Sequence, residues 1–178
     1  MKRSFSAIAL LLGICLVFFY FGSAQGFRGG GGRGASATPT SSALKPEGAA
    51  VWQYLKTTDY TKKFKMWPGK SSFYQGKEPH GALLTTYVNI PALMAIAGKK
   101  GSFPEGSMIV KENYSSEKQL KSITVMYKVY GYNPEAGDWF WAQYAPGGKV
   151  EAEGKVDTCI KCHAENKNND YIFTAPLK

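Results

Sequence analysis

The chain has 178 residues, 44% of them hydrophobic and 14% aromatic, with a formal net charge of +9. That length suits one domain, and that much apolar and aromatic side chain is enough for a real core, which excludes a chain disordered throughout.

The first element in chain order is a targeting segment. Lys2 and Arg3 precede an apolar run from Ala7 to Gly22 that ends in small residues at Gly22, Ser23 and Ala24. This is the layout of an export signal, and the run is shorter than the ~20 residues of a spanning helix. Residues 1–24 are therefore expected to be a signal peptide cleaved after Ala24, with an uncleaved anchor as the alternative, and the mature protein to be periplasmic or otherwise exported. Cleavage removes Cys15, so only Cys159 and Cys162 remain and no separate disulfide framework is available. Residues 25–48, rich in Gly, Ser, Thr, Ala and Pro without an apolar period, read as a flexible linker, and residues 49–178 as the folded domain.

A short helical pattern spans Ala50 to Lys56, with Val51, Trp52 and Leu55 on one side, and a turn follows at Pro68 and Gly69. Residues 82–90 (ALLTTYVNI) read as a strand. The next stretch reads as a helix capped by Asn89, with Pro91 in its first turn and Gly98 after its end. Strands are predicted at 107–112, 122–132 and 138–144, the last two joined through NPEAG as an antiparallel hairpin. APGGKVEAEGKV reads as a turn, and Asp157 as the cap of a terminal helix. No internal repeat is present. The fold class is α+β: mainly antiparallel sheet, with flanking helices and a C-terminal helix.

That last helix carries CIKCH, residues 159–163. Residues three and four apart share a helix face, so Cys159, Cys162 and His163 point the same way. This suits a haem whose vinyl groups take up the two thiols while the imidazole reaches iron, and the spacing is that of a haem c attachment site. A zinc site needs a fourth ligand, and the only other histidine is His80. A redox disulfide belongs on a thioredoxin-like βαβ pattern, which the strands do not offer. Fifteen residues follow His163 and none is methionine, unlike a small helical electron carrier with a downstream methionine ligand.

Taken in order, EPHGALLTTYVN, PEGSMIVKENY, TVMYKVYGYNPEAGDWFWAQY and CIKCHAENKNNDYIFT resemble the cytochrome P-460 family, which includes the cytochromes c′-β. The resemblance runs from about Trp52 to Thr174. It implies a mostly antiparallel sheet carrying one five-coordinate haem c, often in a homodimer. Cys159 and Cys162 match the haem-linking cysteines, and His163 the proximal iron ligand. Lys111 matches the lysine that in true P-460 members bonds to the porphyrin edge; the plainer reading is a surface lysine on a strand. Beside a haem its amine would be desolvated, with a lower pKa and greater nucleophilicity.

Hydroxylamine-oxidising relatives are expected to hold a carboxylate over the distal haem face. Here the strand TVMYKVYGY has Met126 and Lys128 and no acid, which weakens the case for hydroxylamine turnover. Phe73 is a candidate distal cap, with core packing as its alternative. An apolar pocket over a vacant sixth position favours nitric oxide or carbon monoxide. His80, in a Pro-His-Gly turn, is either locally hydrogen-bonded or a sixth ligand. Met94, Met108 and Met126 read as core.

Export and haem attachment argue against nucleic acid as a partner. Loss of Lys2 and Arg3 takes the charge from +9 to +7, which suits docking to an acidic redox partner. Two functions stand. One is a haem enzyme oxidising hydroxylamine or a related nitrogen compound; the other is a non-enzymatic carrier of nitric oxide and electrons. A plain electron-transfer cytochrome with His80 or a methionine as sixth ligand is the alternative.

Overall fold

A computed structural model describes residues 44–178; the expected signal segment, and the linker up to residue 43, lie outside the described residues. Helix α1 (Gly48–Thr58) buries Val51 and Leu55 and ends where Asp59 turns left-handed and returns its N–H to Leu55 and Lys56. A single turn, α2 (Tyr60–Lys63), leads to the two-residue strands β1 (Lys65–Met66) and β2 (Tyr74–Gln75). Then come β3 (Leu83–Val88), α3 (Ile90–Ala97), β4 (Met108–Tyr114), β5 (Leu120–Lys128), β6 (Trp139–Tyr144), β7 (Val150–Gly154) and α4 (Asp157–His163). Among the described residues no helix is long and apolar enough to cross a membrane.

The sheet runs β1-β3-β4-β5-β6-β7, every pairing antiparallel, and β2 also pairs with β3. The α+β class and the β5–β6 hairpin are as the sequence predicts. Asn89 caps α3 as expected, its Oδ1 accepting from Ala92 N at 3.3 Å and from Met108 N at 2.9 Å. Two expectations fail locally. The stretch read as a turn contains β7, whose Glu153 carboxylate accepts from Gly48 N at the start of α1. Asp157 is the first residue of α4 and makes no capping bond; it lies 3.8 Å from Lys161 in an exposed pair.

Because side chains alternate along a strand, the sheet has two inner faces and two cores. On one face Val110, Val125, Phe140 and Tyr144 pack against Val51, Leu55 and Tyr60 of the first helices. On the other, Ile109, Met126, Trp139 and Trp141 meet α3 and the segment after α4, through Ala92, Tyr171, Ile172 and Leu177. Each fully buried side chain of this size contributes about 1.5–3 kcal/mol. The second face carries the site, since Cys159 and Ile160 of α4 pack against it.

Candidate functional site

The pentapeptide sits in α4, with Cys159 half-buried and Cys162 exposed, both as free thiols. Burial pushes the Cys159 thiol up in pKa. His163 is only 7% exposed. Its Nδ1 lies 2.6 Å from the Tyr171 carbonyl oxygen. A carbonyl can only accept, so Nδ1 carries the proton and Nε2 keeps the lone pair a metal needs. Burial lowers the His163 pKa, against the Tyr171 bond that raises it.

The Tyr171 carbonyl is itself held in place. Asp170 and Tyr171 both adopt left-handed backbone, φ 52° and 67°, which turns the chain back under the helix. The buried Asp170 carboxylate accepts from Lys128 Nζ at 2.6 Å, Phe103 N at 2.7 Å and Trp139 Nε1 at 3.3 Å. Lys128 Nζ also donates to Gly137 O at 2.7 Å. A Cβ on Gly137 would stand 2.7 Å from the Tyr171 ring, so glycine is required there. Lys128, at a strand position where a distal polar group was looked for, is thus tied to the proximal side.

Facing α4, register sets two rows across the sheet. Thr86, Lys111, Thr124 and Gln143 are successive partners on β3–β6, and Val88, Ile109, Met126 and Trp141 form the adjacent row. One row is polar and the other apolar. Between sheet and helix lies a cavity of about 220 Å³, whose wall includes Lys111, Thr124, Met126, Trp141, Cys159 and His163. A second lobe, about 360 Å³, extends toward Lys70, Tyr74 and Lys77. His80, Lys111, Cys162, His163 and Phe173 border both lobes. Among the described residues none lining the first lobe is acidic, and Glu78 is the only acid lining the second. Burial brings the Lys111 ammonium down to about 8.

His80 stands at the tip of the β2–β3 hairpin, which closes through Gly76 N to Ala82 O at 2.9 Å and His80 N to Lys77 O at 3.0 Å. Gly81, at φ 106°, has no room for a side chain: its Cβ would meet the Tyr114 carbonyl oxygen at 2.8 Å. The His80 ring lies edge-on to His163, centroids 6.1 Å apart and planes at 90°, with Nδ1 3.5 Å from Thr124 Oγ1. Burial first, then the nearby Lys111 and His163, push its imidazole down to about 3.

The structure brings Cys159, Cys162, His163, Lys111 and His80 together and leaves Phe73 out. Phe73 is in a left-handed turn (φ 55°) with its ring 4.8 Å from Tyr114 and Lys118 Nζ 5.1 Å over it; it lines neither lobe. Met108 is core as expected, Met126 is buried but also lines the cavity, and Met94 is 59% exposed on the outer face of α3. Sequence reasoning missed Trp141, whose ring lies 4.7 Å from His163, and Asp170. The alternation of Trp139 and Trp141 in β6 was the available signal for the former.

These residues fit a haem. The cavity offers two thiols and an imidazole of fixed tautomer on one side, and a mostly apolar wall on the other. Buried Trp141 Nε1 in that wall has no hydrogen-bond partner, a cost of about 1–3 kcal/mol that a guest with acceptor atoms would relieve. A family model, Cytochrome P460, matches residues 52–174. No curated protein matches the chain.

Proposed function

The chain belongs to the cytochrome P460 family and is therefore a haem cytochrome, and from that premise we propose that it is an exported, single-haem c-type cytochrome that carries electrons and binds nitric oxide. The observation that carries the reading is the 2.6 Å bond from His163 Nδ1 to the Tyr171 carbonyl, which leaves Nε2 as an axial ligand on the helix that bears both cysteines. Cys159 and Cys162 would hold the haem covalently through their thiols, and His163 Nε2 would ligate its iron. Bound there, haem supplies a one-electron couple and an iron position for small ligands. The chain's own residues hold His163 in one tautomer, line the cavity with apolar groups, and set Lys70 and Lys77 at the far lobe to meet the two haem carboxylates.

The alternative, hydroxylamine oxidation, needs a proton acceptor beside the substrate. The first lobe has none of carboxylate type. Lys111 borders both lobes, and we take it to be a free amine, without a bond to the porphyrin. An acidic redox protein is the partner that the +7 charge left after loss of Lys2 and Arg3 suits.

Trypsin digestion of the purified holoprotein with mass spectrometry tests both points. The expected result is haem on the peptide containing Cys159 to His163, resistant to acid–acetone, and Lys111 in a haem-free peptide cut at that lysine. Haem lost to acid–acetone would sink the covalent reading. A peptide joining Lys111 through haem to the cysteines, with hydroxylamine oxidation lost in Lys111→Ala, would make the enzyme reading the better one.

A further inference from the structure

We infer that His80 is the second axial ligand of the haem iron, trans to His163, so that the sixth position is closed in the resting protein. This rests on the haem c reading above and departs from the vacant sixth position that the sequence comparison implies. Three observations converge on it. The two imidazoles stand 6.1 Å apart, centroid to centroid. Two metal–nitrogen bonds of about 2 Å each, plus the half-width of each five-membered ring, add to the same span.

The second observation is the shape of the space around the pair. The cavity is two-lobed, and His80 and His163 border both lobes. A planar macrocycle ligated between two such rings needs room beyond them, and both lobes adjoin the pair. Cys159 lines only the first lobe, Cys162 borders both, and Lys70 and Lys77 line only the second, an order that suits a group with reactive vinyls at one edge and carboxylates at the other.

Hydrogen bonding is the third. In each ring Nδ1 has its own partner, the Tyr171 carbonyl for His163 and Thr124 Oγ1 for His80. Among the described residues His163 Nε2 makes no hydrogen bond, and the other polar neighbour of the His80 ring is the Asn113 amide. Ordinary edge-to-face packing of two histidines explains the contact but neither the paired lobes nor the unused nitrogen of His163. The hairpin tip is also built to reach inward. A Cβ on Gly76 would meet the Gly81 carbonyl at 2.2 Å, and one on Gly81 the Tyr114 carbonyl at 2.8 Å, so two glycines let the turn carrying His80 close tightly against β4.

A closed sixth position has a defined consequence for gas binding. If the open form is about 1–10% of molecules, apparent affinity for carbon monoxide or nitric oxide falls about 10–100-fold relative to an open pocket. Electron transfer needs no open position.

The test uses the holoprotein with its covalent haem. Resonance Raman and electron paramagnetic resonance should show six-coordinate, low-spin iron in both oxidation states of the unaltered protein, and high-spin iron in His80→Ala. Carbon monoxide affinity should rise in that variant by about tenfold or more. Free imidazole added to His80→Gly should restore the low-spin spectrum, which separates ligation from any general loosening of the fold. High-spin iron in the unaltered protein, or low-spin iron that persists in His80→Ala, would overturn the inference. So would a low-spin spectrum that is lost in Met126→Leu, which would assign the thioether instead. Failure of covalent attachment in the unaltered protein would remove the haem c reading itself, an outcome distinct from each of these.

Discussion

Two histidines face one cavity, and the chain supports them in opposite ways. His163 is buried on a helix, its Nδ1 bonded to a carbonyl whose neighbour, Asp170, collects three donors including a buried lysine. His80 rides a hairpin tip, half-exposed, and its Nδ1 contact with Thr124 is 3.5 Å long. Bonds near that length contribute little. The difference shows how a sheet protein can hold one ligand firmly and another releasably with the same residue type: the firm one is fixed by a buried polar network, the other by backbone shape.

Breaking the network should have the largest effect. Asp170→Ala leaves Lys128 buried without a counter-charge and Phe103 N without its acceptor, while Trp139 Nε1 keeps the Asp170 backbone carbonyl at 3.1 Å. A loss of about 3–5 kcal/mol is expected, measured by denaturant unfolding of the holoprotein. Replacing the pair together, Lys128→Met with Asp170→Leu, should recover much of it. A loss below about 1 kcal/mol in Asp170→Ala would show that the carboxylate does not clamp the proximal side.

On the other side, Gly81→Ala puts a side chain at φ 106° against the Tyr114 carbonyl. It should cost about 1–3 kcal/mol and displace the turn that carries His80, read by thermal unfolding and by the haem spectrum. An unchanged melting temperature would mean that the turn is soft. The smallest effect is expected for Thr124→Val, which removes the 3.5 Å contact and a 3.3 Å bond from Asn113 Nδ2, an amide that keeps its bonds to Lys111 O and Ser122; stability should change by at most about 0.5 kcal/mol. A loss near 2 kcal/mol would make the two histidines equally well anchored and dissolve the contrast.

Much of this was legible in the sequence, where the signals are local. CIKCH placed two cysteines and a histidine on one helical face, NPEAG announced a hairpin, and Asn89 with Pro91 marked the start of α3. What escaped depends on partners far along the chain. β1 and β2 are two residues long and show no period. β7 is a half-exposed edge strand whose VEAEG has the composition of the turn before it, and only pairing with β6 makes it a strand. Phe73 is matched to a cap on the resemblance to the cytochromes c′-β; its left-handed backbone sets the ring 4.8 Å from Tyr114. The meeting of His80 with His163 is set by the β3–β4–β5 register, which brings Thr124 beneath the hairpin, and no short stretch of sequence contains that information.

The bonds that fix His163 have a consequence in time. Tyr171 supplies the carbonyl, Asp170 holds the turn, and Asn169 ties the following residues back, its Nδ2 donating to Ile172 O and Ala175 O while its Oδ1 accepts from Leu177 N. All of them follow the pentapeptide in the chain. A domain folds as a unit, and in the unfolded chain both thiols are already accessible, whereas the acceptor that fixes the imidazole is in place only after the tail has packed down. The thiols are thus available before the imidazole is seated, an order that follows from folding and not from synthesis.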